Sequence, residues 1–202
     1  MGALKYPILE QSCLMVAASN APDDKKHAAH YVCDGVDDQV QIQQAIDMIE
    51  TLGNGGVVLL TEGVFEIDPS VGIRGVDGLV LQGSGASLGT NGTVLYVSAG
   101  TGTLFSLKQA DANAGVRVHL KDLAFKGYAV DETIDLCGLD CAGMKVAKIE
   151  NVFFTLFPKA IYAHGGQFYS GTPVTHVCNE IFFDVWMISV GRGFYALGKN
   201  GC

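Results

Sequence analysis

Proline, positive charge and long hydrophobic runs are all scarce in this chain, and each scarcity removes a class of protein. Only 5 prolines accompany 26 glycines in 202 residues, and no Gly-X-Y period is present. Collagen-like and proline-rich linker characters are thereby excluded, and the glycines are left to serve tight turns. Lysine and arginine total 13 against 21 acids, a formal net charge of -8, with no basic cluster. Such a chain repels phosphate backbones and anionic lipid heads, so neither nucleic acid nor membrane insertion is expected. No stretch approaches the roughly 18 apolar residues of a membrane span. The opening MGALKYPILEQSCLMVAAS is broken by Pro7, Glu10 and Gln11 where a secretory signal needs an unbroken apolar core. Six cysteines (Cys13, Cys33, Cys137, Cys141, Cys178, Cys202) are scattered, with one C-x3-C pair, which is the spacing of neither a zinc site nor a disulfide scaffold. No metal is expected.

What remains is 49% hydrophobic and 17% charged, enough for one folded domain with a core. The stretch CDGVDDQVQIQQAID, from Cys33 to Asp47, crowds acids around a glycine and then turns amphipathic. Ile42, Ala45, Ile46, Ile49 and Leu52 fall at helical spacing, while Gln41, Gln43, Gln44, Asp47 and Glu50 take the other face. Asp38 followed by Gln41 fits a capping box, and Gly53 supplies a left-handed stop. A calcium EF-loop reading fails, because its twelfth position must be Glu and is here Ala45.

After Gly55-Gly56 the period changes to short β-rich runs closed by Gly, Ser, Asp or Asn: 56–67, 78–83 and 92–97. The sequence then repeats itself. Leu120-Lys-Asp-Leu-Ala-Phe, Ile149-Glu-Asn-Val-Phe-Phe and Cys178-Asn-Glu-Ile-Phe-Phe align at intervals of 29 residues (120 to 149 to 178). Leu123, Val152 and Ile181 form one apolar column, and Phe125, Phe154 and Phe183 another. A second strand set, at 138–142, 160–163 and 193–196, follows each copy. Repeats that cannot bury their own apolar face must stack, so the expectation is an all-β solenoid. Gly83-Ser-Gly-Ala-Ser-Leu88 reads as a turn, because no helix follows to receive a pyrophosphate.

The run YVCDGVDDQVQIQQAIDMI followed by GNGGVVLLTEGVFEI resembles the opening of the pectate-lyase-like right-handed parallel β-helix families, which include phage tailspikes and surface proteins. The resemblance implies a single-stranded right-handed parallel β-helix with an N-terminal capping α-helix. It divides the chain into an arm at 1–30, a capping segment at 31–56, and coils at 57–202 that are incomplete at their C-terminal end. It implies a polysaccharide-recognising surface or virion module, of the tailspike or adhesin kind, at an extracellular or virion location, with a homo-oligomer, a trimer foremost, as partner. Two alternatives stay open: a secreted polysaccharide lyase or glycoside hydrolase, with calcium only in the lyase case, and a purely structural spike or filament. Of the hydrolase branch's motifs only Ala163-His164-Gly165-Gly166 shows a weak similarity, and His164 reads as a turn or surface histidine.

Candidate site residues come from the outward columns. If 123 and 125 point inward, Phe153 and Phe182 point out, and so do Tyr128, Phe157 and Trp186 at successive 29-residue intervals. An exposed aromatic strip of this kind is expected to stack on sugars or to be buried by partner copies. Asp122, Asn151 and Glu180 share the same interval and are expected to form a polar ladder.

Overall fold

The computed structural model describes residues 12–53, 55–89, 91–107, 117–141, 146–164 and 180–197, with side chains at all of these except 146–147, 163–164, 180–183 and 195–197. The first elements are β1 (Ser12–Ala17), α1 (Asp23–Ala28), β2 (Tyr31–Val32), α2 (Gln39–Leu52), β3 (Gly56–Leu60), β4 (Gly63–Glu66) and β5 (Ile73–Arg74). They are followed by β6 (Leu79–Gln82), β7 (Thr93–Tyr96), β8 (Gly102–Ser106), β9 (Arg117–Lys126) and β10 (Leu136–Asp140). The last are β11 (Val146–Thr155), β12 (Lys159–His164), β13 (Glu180–Ile188) and β14 (Arg192–Leu197). Among the described residues there are two helices, and every strand pairing is parallel, so the fold is all-β.

One sheet runs β13-β11-β9-β6-β3-β1-β2, with β4 and β7 alongside; the second runs β14-β12-β10-β8-β5. The long strand β9 serves both halves of the first sheet, pairing with β6 through 118–121 and with β7 through 124–126. It bends between them at Asp122, whose φ of 55° is left-handed, and β11 bends at Asn151, φ 49°. Asn and Asp tolerate this region better than other side-chain-bearing residues. Asn151 Nδ2 donates to Asp122 Oδ1 at 2.8 Å, so the two bends are tied one above the other. The segment expected as a separate arm contributes β1, which lies within the first sheet between β2 and β3.

Helix α2 buries Ile42, Ala45, Ile46 and Ile49, the expected stripe, and stops at Gly53 with φ 75°. The capping box does not form. Asp38 makes no side-chain cap bond, and Gln41 Oε1 has no hydrogen-bond partner. Instead the fully buried Asp38 carboxylate accepts Gly35 N–H on Oδ1 and Glu66 N–H on Oδ2, both at 2.9 Å. Burial, opposed by these two donors, raises its pKa. Chain segments 28 residues apart in sequence (38 to 66) are thereby pinned together. The glutamines of α2 finish the edge below it. Gln39 Oε1 accepts Asp68 N–H at 3.0 Å. Gln43 accepts Arg74 N–H at 2.8 Å and donates to Arg74 C=O at 3.3 Å. Its amide thus stands where a neighbouring strand's peptide would stand beside edge strand β5, while the Arg74 guanidinium reaches Asp47 and Glu50.

The core lies between the two sheets. Phe65, Leu95, Phe125, Phe154 and Met187 succeed one another in register, and the Phe125 and Phe154 rings stack at 4.7 Å and 9°. Opposite them run Ile73, Phe105, Leu139, Ile161 and Phe194. The expected interval of 29 holds from β9 to β11, where Leu120 meets Ile149 and Phe125 meets Phe154. It fails from β11 to β13. Val152 meets Val185 rather than Ile181, and Phe154 meets Met187 rather than Phe183, because the pairing shifts between Ile149 and Val152, where two residues oppose one. Cys137 and Cys141 are buried as expected, and the four described cysteines are free thiols; Cys178 and Cys202 lie outside the described residues.

Candidate functional site

The aromatic column expected from Tyr128, Phe157 and Trp186 does not form. Strand β9 ends at Lys126, so its alternation does not carry through to Tyr128, which is partly buried and donates its hydroxyl to Gly100 C=O at 2.7 Å. Leu156 takes a left-handed φ of 57°, and this turn sends Phe157 into the core, fully buried. Trp186 does face solvent, 65% exposed, but in register with Phe153 and Ala124. The outward column of this half-sheet is therefore Val64, Val94, Ala124, Phe153 and Trp186. With strands about 4.8 Å apart, the Phe153 and Trp186 rings are side-by-side neighbours on one surface.

The polar ladder forms in its first step only. Asp122 and Asn151 are bonded, whereas the backbone of Glu180 is in register with Val146, far along the strand from the bend. Phe182 is in register with Lys148. The side chains of Glu180, Phe182 and His164 lie outside those described.

Beyond the bend, the first half of the same sheet carries a charged hollow that the aromatic argument overlooked. Its floor and walls are Gly78, Leu79, Val80, Arg117, Val118, His119 and Lys148, enclosing about 390 Å³. Through Gly78 and Arg117 it joins a second cleft of about 310 Å³ at the end of α2, which adds Ile49, Glu50, Gly53, Gly55 and Asp77. Glycine is required on this floor. A Cβ on Gly55, φ 69°, would stand 2.7 Å from Gly78 C=O. Parallel pairing places Val80, His119 and Lys148 in one outward column.

The charges in the hollow are mutually engaged. Glu150 Oε2 is 3.0 Å from His119 Nε2 and 2.5 Å from Lys148 Nζ. Arg117 grips Asp77 through Nε at 3.1 Å and Nη2 at 2.9 Å, and Lys121 lies 3.8 Å from Asp122. Lys148 holds the Glu150 carboxyl below its ordinary pKa, and Arg117 does the same for Asp77. Partial burial and the Lys148 charge push His119 down, against the pull of Glu150. His119 is therefore neutral at neutral pH, and its Nε2–H donates to Glu150. Among the described residues no group of three or more acidic, histidine or cysteine side chains is arranged to hold a metal ion.

Two further features complete the inventory. A hollow of about 430 Å³ lined by Ile161, Val185, Met187 and Phe194 continues the core columns between the sheets. No described helix is long and apolar enough to cross a membrane. No family model, curated protein or solved structure matches the chain. Function must be argued from the face itself. His119 with Lys148, Lys121 with Glu150, and Asp122 with Asn151 are each 29 residues apart (119 to 148, 121 to 150, 122 to 151). The repeat thus contained the signal, on the outward positions N-terminal to the bend.

Proposed function

We propose that this chain is a right-handed parallel β-helix of the pectate-lyase-like kind, acting as a polysaccharide-recognising module on a cell or virion surface. Support for the winding comes from parallel strands that return repeatedly to the same two sheets, because such crossovers are right-handed in nearly all cases. The glycan reading is carried by the neighbouring outward rings of Phe153 and Trp186. Aromatic faces are suited to the apolar faces of sugars, and a solvent-exposed indole on a flat parallel sheet offers such a platform. Assembly of copies, a trimer foremost, competes for the same surface. A catalytic reading, lyase or hydrolase, draws on one observation, the neutral His119 held by Glu150 in an open hollow, a pair able to accept a proton near neutrality.

Trp186 is the chain's one tryptophan, so its fluorescence reports directly on the platform. Titration with neutral and acidic polysaccharides is expected to shift that emission. Trp186→Ala is expected to raise Kd at least about tenfold, a change of about 1.4 kcal/mol, with the thermal midpoint moved by only a few degrees. If no polysaccharide perturbs Trp186, or if the variant binds as the parent does, the reading is wrong. Appearance of unsaturated products or new reducing ends during the titration would instead favour the catalytic reading.

A further inference from the structure

The hollow around His119 is electrically balanced in an unusual way. Arg117, Lys121 and Lys148 contribute three cations, and Asp77, Asp122 and Glu150 three carboxylates, each within 4 Å of an opposite charge. With a neutral imidazole the cluster sums to zero, inside a chain of net charge -8. His119 is the one group in it whose charge changes near neutrality. It faces Lys148 and Glu150 on β11 and has Arg117 and Lys121 on its own strand; β6 presents Val80 and Gln82, which do not titrate. We propose that the hollow lined by Arg117, His119 and Lys148 is a binding site for an anionic group of a glycan, carboxylate or sulfate, and that His119 takes up a proton as the anion binds.

The proposal rests on the reading of this sheet as a glycan-binding face and adds the charge of the sugar and the pH at which it is held. The hollow has only basic side chains among its ionisable lining residues, so an anion entering it meets guanidinium, ammonium and imidazole. Against this stand Glu150 and Asp77 at its rim, which keep the net field near zero until one proton is added. An anion a few ångströms from the imidazole stabilises the charged ring, and by linkage the charged ring tightens the anion. Glu150 both accepts the Nε2–H bond and supplies the negative charge that the proton offsets.

The test compares three probes, dextran sulfate, alginate and uncharged dextran, at about pH 5 and about pH 8, on either side of the ordinary imidazole pKa. Binding is followed by Trp186 emission and by calorimetry in two buffers of different ionisation enthalpy, which counts protons taken up. The expected result is at least fivefold tighter binding of a charged probe at the lower pH, with proton uptake, and no such change for dextran. His119→Gln should bind equally at both pH values. Glu150→Gln, which removes the offsetting charge permanently, should bind at the higher pH about as tightly as the parent does at the lower. A preference confined to dextran sulfate or to alginate identifies the anionic group as sulfate or carboxylate. Dextran binding with no advantage for either charged probe overturns this proposal and leaves the glycan reading standing. Failure of all three probes overturns both. Charged-probe binding that is unchanged with pH, or a pH effect retained by His119→Gln, overturns the proton coupling.

Discussion

Removing the Asp38 carboxylate tests how the N-terminal segment is fastened. In Asp38→Ala two backbone donors, Gly35 N–H and Glu66 N–H, lose acceptors at 2.9 Å in a site without solvent access. An unsatisfied buried donor costs about 1–3 kcal/mol, so the pair costs about 2–6 kcal/mol. Release of the carboxylate's own burial strain, visible in its raised pKa, returns part of that, and the lower half of the range is expected. Asp38→Asn keeps one acceptor oxygen and should lose about half as much. Urea unfolding followed by circular dichroism gives the order parent, Asn, Ala, and amide exchange at Gly35 and Glu66 should accelerate in the same order. The pH dependence has a definite sign. Because the folded pKa lies above the ordinary 3.8, the folded state holds this proton more tightly, and the contribution of Asp38 to stability grows as pH falls through the folded value toward 3.8. Asp38→Asn removes that slope. Loss of less than about 0.5 kcal/mol in Asp38→Ala would refute the pin, since solvent or relaxation would then be satisfying both donors.

Two other substitutions probe the repeat itself. Phe154→Ala removes a fully buried ring stacked on Phe125 and should cost about 3–5 kcal/mol by denaturant midpoint. Asn151→Val places a β-branched residue at φ 49° and breaks the bond to Asp122, which should cost about 1–3 kcal/mol, whereas Asn151→Gly keeps the backbone relaxed and should lose clearly less by the same measurement.

The legible part of the molecule was the part written in apolar alternation. The α2 stripe, its stop at Gly53 and the β9 to β11 register all follow from spacing, because one face of each element is buried and a slip would expose it. The β11 to β13 register was misread for the same physical reason. The pairs Phe153-Phe154 and Phe182-Phe183 are 29 apart and look equivalent, yet the true partner of Phe153 is Trp186, 33 residues on (153 to 186). Alternation at period 2 fits several frames, and the extra residue at the bend leaves no compositional mark. Phe157 was misplaced because a strand's parity does not survive a left-handed residue, and Leu156 gave no hint of being one. The charged hollow stayed unread because His119, Lys148 and Glu150 singly look like ordinary solvated side chains; only their adjacency across strands gives them a shared charge balance.

The amide of Gln43, bonded through both its oxygen and its nitrogen to the backbone of Arg74, has a consequence for behaviour in a crowded solution. A parallel sheet is a template, and its outermost strand invites the next extended chain that drifts past, of its own kind or another. At β5 that invitation is already answered by a side chain of the same molecule, held in place by a helix too thick to be mistaken for a strand. A stray chain would have to evict the glutamine and break the Arg74 ion pairs before gaining its first hydrogen bond. Substituting Gln43 should therefore show itself less in the melting curve than in the time for which a concentrated sample stays clear.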